Sequence, residues 1–209
     1  MNDATAVSAA DVKELRERTG APIMDCKAAL AEAGGDTEKA IEILRVKGQA
    51  SAAKRSGQAT SEGIVASYIH ATGKVGVLVE VQCETDFVAH SDDFQEFSRE
   101  VAIHIAGAPS SPAYVSTEEI PDEARDAERS VFEAKARAEW KPDDLVAKVV
   151  DGQLAKWAKE VALLGQEHVR SDRYAGRTIE DLRAELAAKT GENVRIARFA
   201  RFAVGESGE

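Results

Sequence analysis

The stretch VGVLVEVQCETDFVA, residues 75–89, decides the fold around it. Its first nine residues are the most strand-like run of the chain, with valine at every second position and Cys83 at the end. Such alternation puts these side chains on one face of a β-strand, and an apolar face of this kind must be buried. Asp86 and Phe87 follow, before a helix that is predicted to open near Ser91. The sequence therefore predicts a strand-to-helix corner, and such corners lie at the surface and often carry binding residues.

Two interpretations of this corner are open from its own residues. In one, Phe87 turns back into the local core and Asp86 caps the following helix, because apolar residues beside helix caps are routinely buried. In the other, Phe87 faces outward and binds a partner. The residues of the corner alone do not distinguish these two positions of Phe87, so the rest of the sequence has to be considered.

The composition limits the classes of function. The chain has 209 residues, room for one medium domain or two small ones, and its net charge of -10 argues against nucleic acid as a primary partner. No apolar run approaches the roughly 20 residues of a membrane span, and residues 1–4 show no signal-peptide pattern. Cys26 and Cys83 have no metal-ligand spacing. We therefore expect a cytoplasmic protein with free thiols that contacts neither membrane nor nucleic acid.

Three short helices are predicted at the start of the chain. The first begins at Ser8 and Asp11, which resemble a capping box, and ends at Gly20. Pro22 suits the first turn of the second, whereas the third begins at Asp36 and is expected to end at Gly48. Such a small bundle buries little surface and is typical of an interaction module.

The sequence predicts an α+β fold in three parts: a three-helix module at 1–50, a linker at 51–62, and a core at 63–209. In the core, a three-stranded antiparallel sheet packs with helices. The strands are predicted at 64–70, 75–83 and 193–204. The helices are predicted at 92–107, 122–140, 143–150, 152–169 and 179–189.

No group of residues indicates a catalytic centre. The four histidines lack metal-ligand spacing, and neither HExxH, CxxC nor a glycine-rich phosphate loop occurs. Packing roles are predicted for Cys26 and His104. A solvated or salt-bridged strand face is predicted for Arg195, Arg198 and Arg201. The prediction is a protein that is not an enzyme and that needs no cofactor or metal.

Two further functions are weighed against this. A structural protein could pair through the charged helix at 122–140, but that helix lacks a sustained heptad, its apolar edge being Ala127, Val131, Ala134 and Ala138. A thiol enzyme using Cys26 or Cys83 would have to lose activity on alkylation of the folded protein.

Several segments together resemble one family. Residues 15–30, LRERTGAPIMDCKAAL, and residues 79–89, VEVQCETDFVA, resemble the two signatures of bacterial translation elongation factor Ts. Further matches lie at 114–116, 141–142, 152–154 and 191–206, so the resemblance spans nearly the whole chain.

The resemblance implies a guanine-nucleotide exchange factor for elongation factor Tu, a translational GTPase. The N-terminal bundle would be the ubiquitin-associated-like module that docks on the GTPase domain. The positions matching that contact are Arg16, Ile23, Met24 and Lys27. Pro22 stands where a glycine is usual and Ser51 where lysine is frequent.

The resemblance also assigns a role to the corner. Thr85, Asp86, Phe87 and Val88 match the segment that disturbs the magnesium site of elongation factor Tu. Phe87 would insert between partner helices and Asp86 would bond at their ends. The chain lacks the second core repeat and the protruding helical hairpin of longer members. Short members work as homodimers, so a homodimer and a two-plus-two complex are expected.

Overall fold

A computed structural model of the protein describes residues 7–138 and 143–206. Its helices are α1 (Ala9–Thr19), α2 (Ile23–Glu32), α3 (Thr37–Arg55), α4 (Asp86–Ala89), α5 (Asp92–Gly107), α6 (Asp122–Ala138), α7 (Asp143–Val161), α8 (Ser171–Tyr174) and α9 (Ile179–Thr190). Its strands are β1 (Glu62–Ile69), β2 (Val75–Cys83) and β3 (Arg195–Ala203), which form one antiparallel sheet in the order β1-β2-β3. The α+β class is confirmed, and each strand begins within two residues of its predicted position. None of the described helices has the length and apolarity that crossing a membrane requires.

The chain divides into two compact units. One comprises the residues up to Ile64 with Val81–Phe97 and Asp181–Arg195. The other comprises Val65–Glu80 and Ser98–Glu180 with the residues from Ile196 onward. The predicted division at residues 50 and 62 stays a prediction.

The first unit contains the N-terminal helices, whose ends follow the predicted signals. Ser8 and Asp11 form a reciprocal capping box, and Gly20 ends α1 in the left-handed region at φ 68°. Pro22 lies just before α2 as its N-cap rather than within its first turn. The side chain of Asp36 caps α3 by accepting a hydrogen bond from Lys39 N. The three helices share a core of Val12, Leu15, Cys26, Ala29, Leu30 and Ala40.

The prediction that Gly48 ends the third helix is wrong, because α3 continues to Arg55. Glycine costs a helix about 1 kcal/mol relative to alanine, which packing can outweigh. Ala52 is buried, and Gln49 Nε2 donates a hydrogen bond of 2.7 Å to Asp181 Oδ1. These contacts hold residues 49–55, which were predicted to be mostly linker, in the helix.

The predicted alternation of β2 is confirmed. Val77, Val79, Val81 and Cys83 are all buried, whereas Leu78 on the other face is exposed. In the first unit, β1 passes β2 closely at Gly63, where an added Cβ would lie 2.2 Å from the carbonyl oxygen of Val81. The sheet therefore has one buried apolar face. At Gly63 any larger residue would clash with the backbone of β2, so β1 requires glycine there.

The second unit contains a pair of long helices, α6 and α7, that pack along each other. The pair lies where the sequence predicts helices at 122–140, 143–150 and 152–169. Its shared core is Ala136, Val146 and Val150, with Phe132 packed against it. The predicted apolar edge of the first helix is wrong: Val131 and its partners Ala127, Ala134 and Ala138 are exposed. The predicted break at 141–142 lies outside the described residues.

Two helices were predicted where the structure has α7 alone. The helix runs through Gly152 because Val150 and Leu154 on either side are buried. It ends at Val161, well before the predicted end at 169. Ala162 there forms a bridge with Tyr114, and Leu163 N donates a hydrogen bond of 2.9 Å to the Tyr114 carbonyl. These bonds accompany a change from α-helix to a short 3-10 turn at Leu163–Gly165.

Candidate partner-binding site

The corner after β2 is a single helical turn, α4, with a side-chain cap. Thr85 has extended backbone at φ -128° and ψ 154°, and its Oγ1 accepts a hydrogen bond of 3.4 Å from Val88 N. Thr85 is therefore the cap of the turn. The interpretation in which Asp86 caps the following helix is wrong, because Ser91 Oγ accepts a hydrogen bond of 3.4 Å from Phe94 N at the start of α5. Asp86 is instead the first residue of α4, with its side chain exposed.

Phe87 projects from this turn into solvent. Its side chain is 83% exposed, so the interpretation that placed it in the local core is wrong. The reason is that Val88 and Ala89 occupy the inward positions of the short turn and are buried. Val88 is 5% exposed and anchors the turn, whereas Thr85, Asp86 and Phe87 are accessible.

The corner is fixed by residues much further along the chain, all within the first unit. Glu192 accepts hydrogen bonds from the backbone amides of Glu84 and Thr85, each at 3.1 Å, and one of 2.6 Å from the Thr85 hydroxyl. In return, Glu84 Oε1 accepts a hydrogen bond of 2.6 Å from Asn193 N. Glu192 and Asn193 were noted in the sequence only as part of a family-like segment, and no local signal relates them to the corner.

Cys83 lies directly behind the corner as a buried thiol. Its Sγ donates a hydrogen bond of 3.2 Å to the Thr85 carbonyl. Burial, with a smaller contribution from the negative charge of Glu192, raises the pKa of the Cys83 thiol to about 11. A thiol with this pKa is a poor nucleophile at neutral pH, so the geometry favours a packing role. Cys26 is likewise free and fully buried.

The residues predicted to form the docking contact lie on α1 and at the start of α2. Arg16, Ile23, Met24 and Lys27 are all exposed, and Met24 is 71% exposed. The inner sides of the same helices form the core of the bundle. The set combines an exposed isoleucine and methionine with two exposed cationic side chains.

The second unit holds two buried histidines with structural contacts. His104 Nε2 lies 2.8 Å from Gln166 Oε1, and Val169 N donates a hydrogen bond of 3.1 Å to its Nδ1. Burial lowers the pKa of His104 to about 4. The predicted packing role of His104 fits these contacts. In the described ranges, no group of three or more His, Cys, Asp and Glu residues could hold a metal ion.

Two of the three arginines of β3 form ion pairs, as one of the predicted alternatives required. Arg198 Nε lies 2.7 Å from Glu80 Oε2, and Arg201 pairs with Glu206. Arg198 and Arg201 lie on opposite faces of β3, and each is salt-bridged.

A three-helix module and an α+β core that presents an aromatic ring to solvent define a protein suited to binding another protein. Comparison with known proteins is more specific. The chain belongs to the elongation factor Ts family, whose family model, described as Elongation factor TS, matches residues 3–175. Membership places the chain among the elongation factors of translation.

Curated relatives named elongation factor Ts agree over nearly the whole chain. The relative from Caldanaerobacter subterraneus subsp. tengcongensis is 51% identical over 200 residues, covering 96% of this chain and 98% of its own length. That from Carboxydothermus hydrogenoformans is 53% identical over 195 residues, covering 93% and 88%. That from Geobacter metallireducens is 48% identical over 201 residues, covering 96% and 91%.

Proposed function

We propose that this chain is a guanine-nucleotide exchange factor that binds elongation factor Tu with GDP and promotes GDP release during translation elongation in the cytoplasm. The observation that carries the proposal is the corner itself. An 83% exposed phenylalanine stands on a turn whose backbone, cap and apolar anchor are all bonded or buried. A large apolar side chain held outward on a rigid support is suited to entering a gap in a partner.

The mechanism requires no chemistry from this chain. A GTPase holds GDP with a phosphate loop and with magnesium, which neutralises phosphate charge. An exchange factor has to bind the nucleotide-free state more tightly than the nucleotide-bound state, and by reciprocity each ligand then weakens the other. A factor that bound both states equally would leave the equilibrium between the nucleotide-free and the nucleotide-bound GTPase unchanged.

Phe87 makes the binding free energy for the nucleotide-free GTPase more favourable than that for the nucleotide-bound GTPase. Burying a phenylalanine side chain is worth about 1.5–3 kcal/mol, and this is gained only where the partner has opened a gap. Asp86, exposed beside it, would bond to backbone groups at the ends of the partner helices and disturb the magnesium site. Thr85 and Val88 support the pair by capping and anchoring the turn.

The first experiment measures the release of fluorescently labelled GDP from elongation factor Tu. We expect the unsubstituted chain to accelerate release and Phe87→Ala to reduce the stimulated rate by about tenfold, equivalent to about 1.4 kcal/mol. Val131→Ala removes an exposed apolar side chain elsewhere and is the matched control. Full stimulation by the Phe87→Ala protein would contradict the role of the ring.

We propose the N-terminal helices as the docking module, with Met24 at the centre of the contact. Truncation of an exposed apolar side chain that becomes buried in a complex weakens binding. It leaves unchanged the effect of Phe87 on GDP release once the complex has formed. Met24→Ala is therefore expected to raise the concentration of factor that gives half-maximal GDP release by about tenfold and to leave the maximal rate unchanged. Lys13→Ala, on the outer side of α1, is the control. A lower maximal rate with unchanged half-saturation would contradict a purely docking role.

We propose further that the chain acts as a homodimer through the open face of its sheet. In the second unit this face exposes Val65, Ile69, Leu78, Phe202 and Val204. All of these except Val65 line a shallow groove of about 500 Å³, formed by residues 69, 73–78 and 202–204. An apolar sheet face is ordinarily covered, and a second copy of the same face is self-complementary across a two-fold axis. The homodimers of short family members support this choice of occupant.

A further inference from the structure

We propose that Glu192 is a positioning residue for nucleotide exchange: its carboxylate sets the direction in which the corner presents Phe87. The inference rests on the proposed function, because it concerns the same corner. All residues involved belong to the first compact unit.

The carboxylate of Glu192 replaces the acceptors that regular structure would supply. The amides of Glu84 and Thr85 lie between the end of β2 and the start of α4, and both donate to Glu192 Oε2 at 3.1 Å. Backbone amides at such junctions need an acceptor from a side chain or from water. A carboxylate forms stronger hydrogen bonds than water does and holds both amides in one orientation.

The same carboxylate also determines how the cap of α4 is made. The Thr85 hydroxyl donates its single hydrogen to Glu192 Oε1 at 2.6 Å. An oxygen lone pair is then left for the amide of Val88, at 3.4 Å. The cap of the turn that carries Phe87 therefore depends on the charge of Glu192.

Glu192 is itself held in place by a reciprocal set of contacts. Its neighbour Asn193 is 3% exposed and donates its backbone amide to Glu84 Oε1 at 2.6 Å. The side-chain amide of Asn193 donates to the carbonyl of Gln58 at 2.9 Å, and Arg55 lies 3.5 Å from Glu84 Oε1. The two segments 84–85 and 192–193 are thus joined by paired carboxylate and amide groups. Arg55 at the end of α3 and Gln58 just after it contact the same segments.

A ring on a preorganised turn binds with higher affinity than one on a flexible turn, because ordering a flexible turn during binding costs conformational entropy. This gives Glu192 an effect on exchange without contact with the partner. Its contribution to GDP release should therefore act through Phe87 alone.

The first test uses the chain alone and follows hydrogen exchange of the backbone amides. In Glu192→Ala, the amides of Glu84, Thr85 and Val88 are expected to exchange at least about tenfold faster. Glu123→Ala, which removes an exposed carboxylate from α6, is the control and should leave these amides unchanged. Unchanged protection in Glu192→Ala would overturn the proposal. Glu192→Gln, which keeps the size and removes the charge, should accelerate exchange less, and it replaces the alanine variant if that protein fails to fold.

The second test measures labelled GDP release from elongation factor Tu. Glu192→Ala is expected to lower the maximal stimulated rate by about tenfold and to change the half-saturating concentration much less. In the Phe87→Ala background, removing Glu192 should have no further effect, because the two residues act as one unit. Additive losses would show that Glu192 acts independently of the ring and would overturn the proposal.

The two tests separate failure of this inference from failure of the proposed function. If the unsubstituted chain does not accelerate GDP release, the proposed function is wrong, whereas the hydrogen-exchange result still decides whether Glu192 holds the corner. If release is accelerated and Glu192→Ala keeps the full maximal rate, only the positioning role is wrong.

Discussion

At the scale of single residues, His104 and His168 show how the second unit keeps two imidazole rings neutral. Each ring donates from Nε2, to the side chain of Gln166 in one case and to the carbonyl of Glu100 in the other, at 2.8 and 3.1 Å. Each ring also accepts a backbone amide at Nδ1. A further proton on Nδ1 would have to displace that amide, so the contacts and the burial both favour the neutral form.

The surroundings of His168 combine positive and negative groups. Arg170 and Arg173 lie at 2.7 and 2.9 Å from Glu100 Oε1, and the Tyr174 ring lies 4.3 Å from the His168 ring, centroid to centroid. Burial lowers the pKa of His168, and the two arginines add to the effect, whereas the bond to the Glu100 carbonyl opposes it. Glu100 Oε2 lies 3.6 Å from His168 Nε2, so a carboxylate is close to the ring as well.

Because the pKa values of His104 and His168 are lowered, we expect the protein to be less stable in mild acid. Their pKa values are lowered in the folded state, so between about 6.5, the ordinary value, and about 4, the value for His104, the unfolded chain binds more protons than the folded one. The free energy of unfolding should therefore fall as pH falls from 6.5, by up to about 1.4 kcal/mol per pH unit for each proton. Urea unfolding at a series of pH values between 7.5 and 5 measures this slope.

A histidine variant separates this effect from the titration of carboxyl groups. His104→Asn should unfold at lower urea concentration at pH 7.5 but show a shallower decline of stability with acid. His70→Asn, which removes an exposed ring, is the control. An equal slope in His104→Asn and in the unsubstituted chain would contradict the assignment.

Only some features of the corner could be predicted from its sequence. Its position after β2 and its polar-then-aromatic sequence could be predicted, because strand alternation and turn residues are local signals. The direction of Phe87 could not, since it depends on which of the neighbouring residues takes the inward position, and Val88 does. Glu192 follows Glu84 by 108 residues, so only the folded chain shows their contact.

At the scale of elements, the β1–β2 hairpin depends on two glycines in different ways. Gly63 has φ 152°, and a Cβ there would meet the Val81 carbonyl at 2.2 Å. Gly73, in the loop, has φ 68° with nothing within 4 Å of an added Cβ. The first position combines an unfavourable conformation with a clash against backbone, and the second has only the conformational cost.

We therefore expect Gly63→Ala to destabilise the protein much more than Gly73→Ala. The left-handed conformation costs an alanine about 1–2 kcal/mol, which is the expected loss for Gly73→Ala. For Gly63→Ala, the β1–β2 ladder has to shift as well, so a loss above about 3 kcal/mol is expected. Thermal unfolding of both variants makes the comparison. Equal losses would show that the two strands can separate locally without cost.

Helix boundaries were the least predictable elements, for one physical reason. Gly48 was interpreted as a helix end, and separate helices were predicted at 143–150 and 152–169, yet α3 continues through Gly48 and α7 through Gly152. Glycine lowers helix propensity by only about 1 kcal/mol, which the burial of Ala52 or Leu154 outweighs. In α6 the helical period was right and its phase was wrong, because the edge interpreted as apolar consists largely of alanines, whose small side chains are tolerated on either side of a helix.

At the scale of the whole molecule, the proposed dimer gives the open sheet face a function. Phe202 is 71% exposed on this face and is the largest side chain there. A charge at such a position is costly to bury and would repel its own copy across a two-fold axis. Phe202→Glu is therefore expected to convert the dimer into a monomer in a mass measurement in solution.

The control for this prediction is Val131→Glu, which adds the same charge at an exposed site on α6 and should leave the mass unchanged. Because two copies of the factor would each carry one corner, the unsubstituted dimer should bind elongation factor Tu in a two-plus-two complex. A monomeric mass for the unsubstituted chain would contradict the dimer without affecting the role of Phe87.

The contact between Glu84 and Glu192 has a consequence for the timing of protein synthesis. The ribosome adds about 5–20 residues per second, so the 108 residues between the two take about 5 to 20 seconds to append. During this interval the nascent chain carries Phe87 without its distant support. Competence to promote GDP release should therefore arise late in translation of the message, and an incomplete chain halted before Glu192 should not accelerate that release.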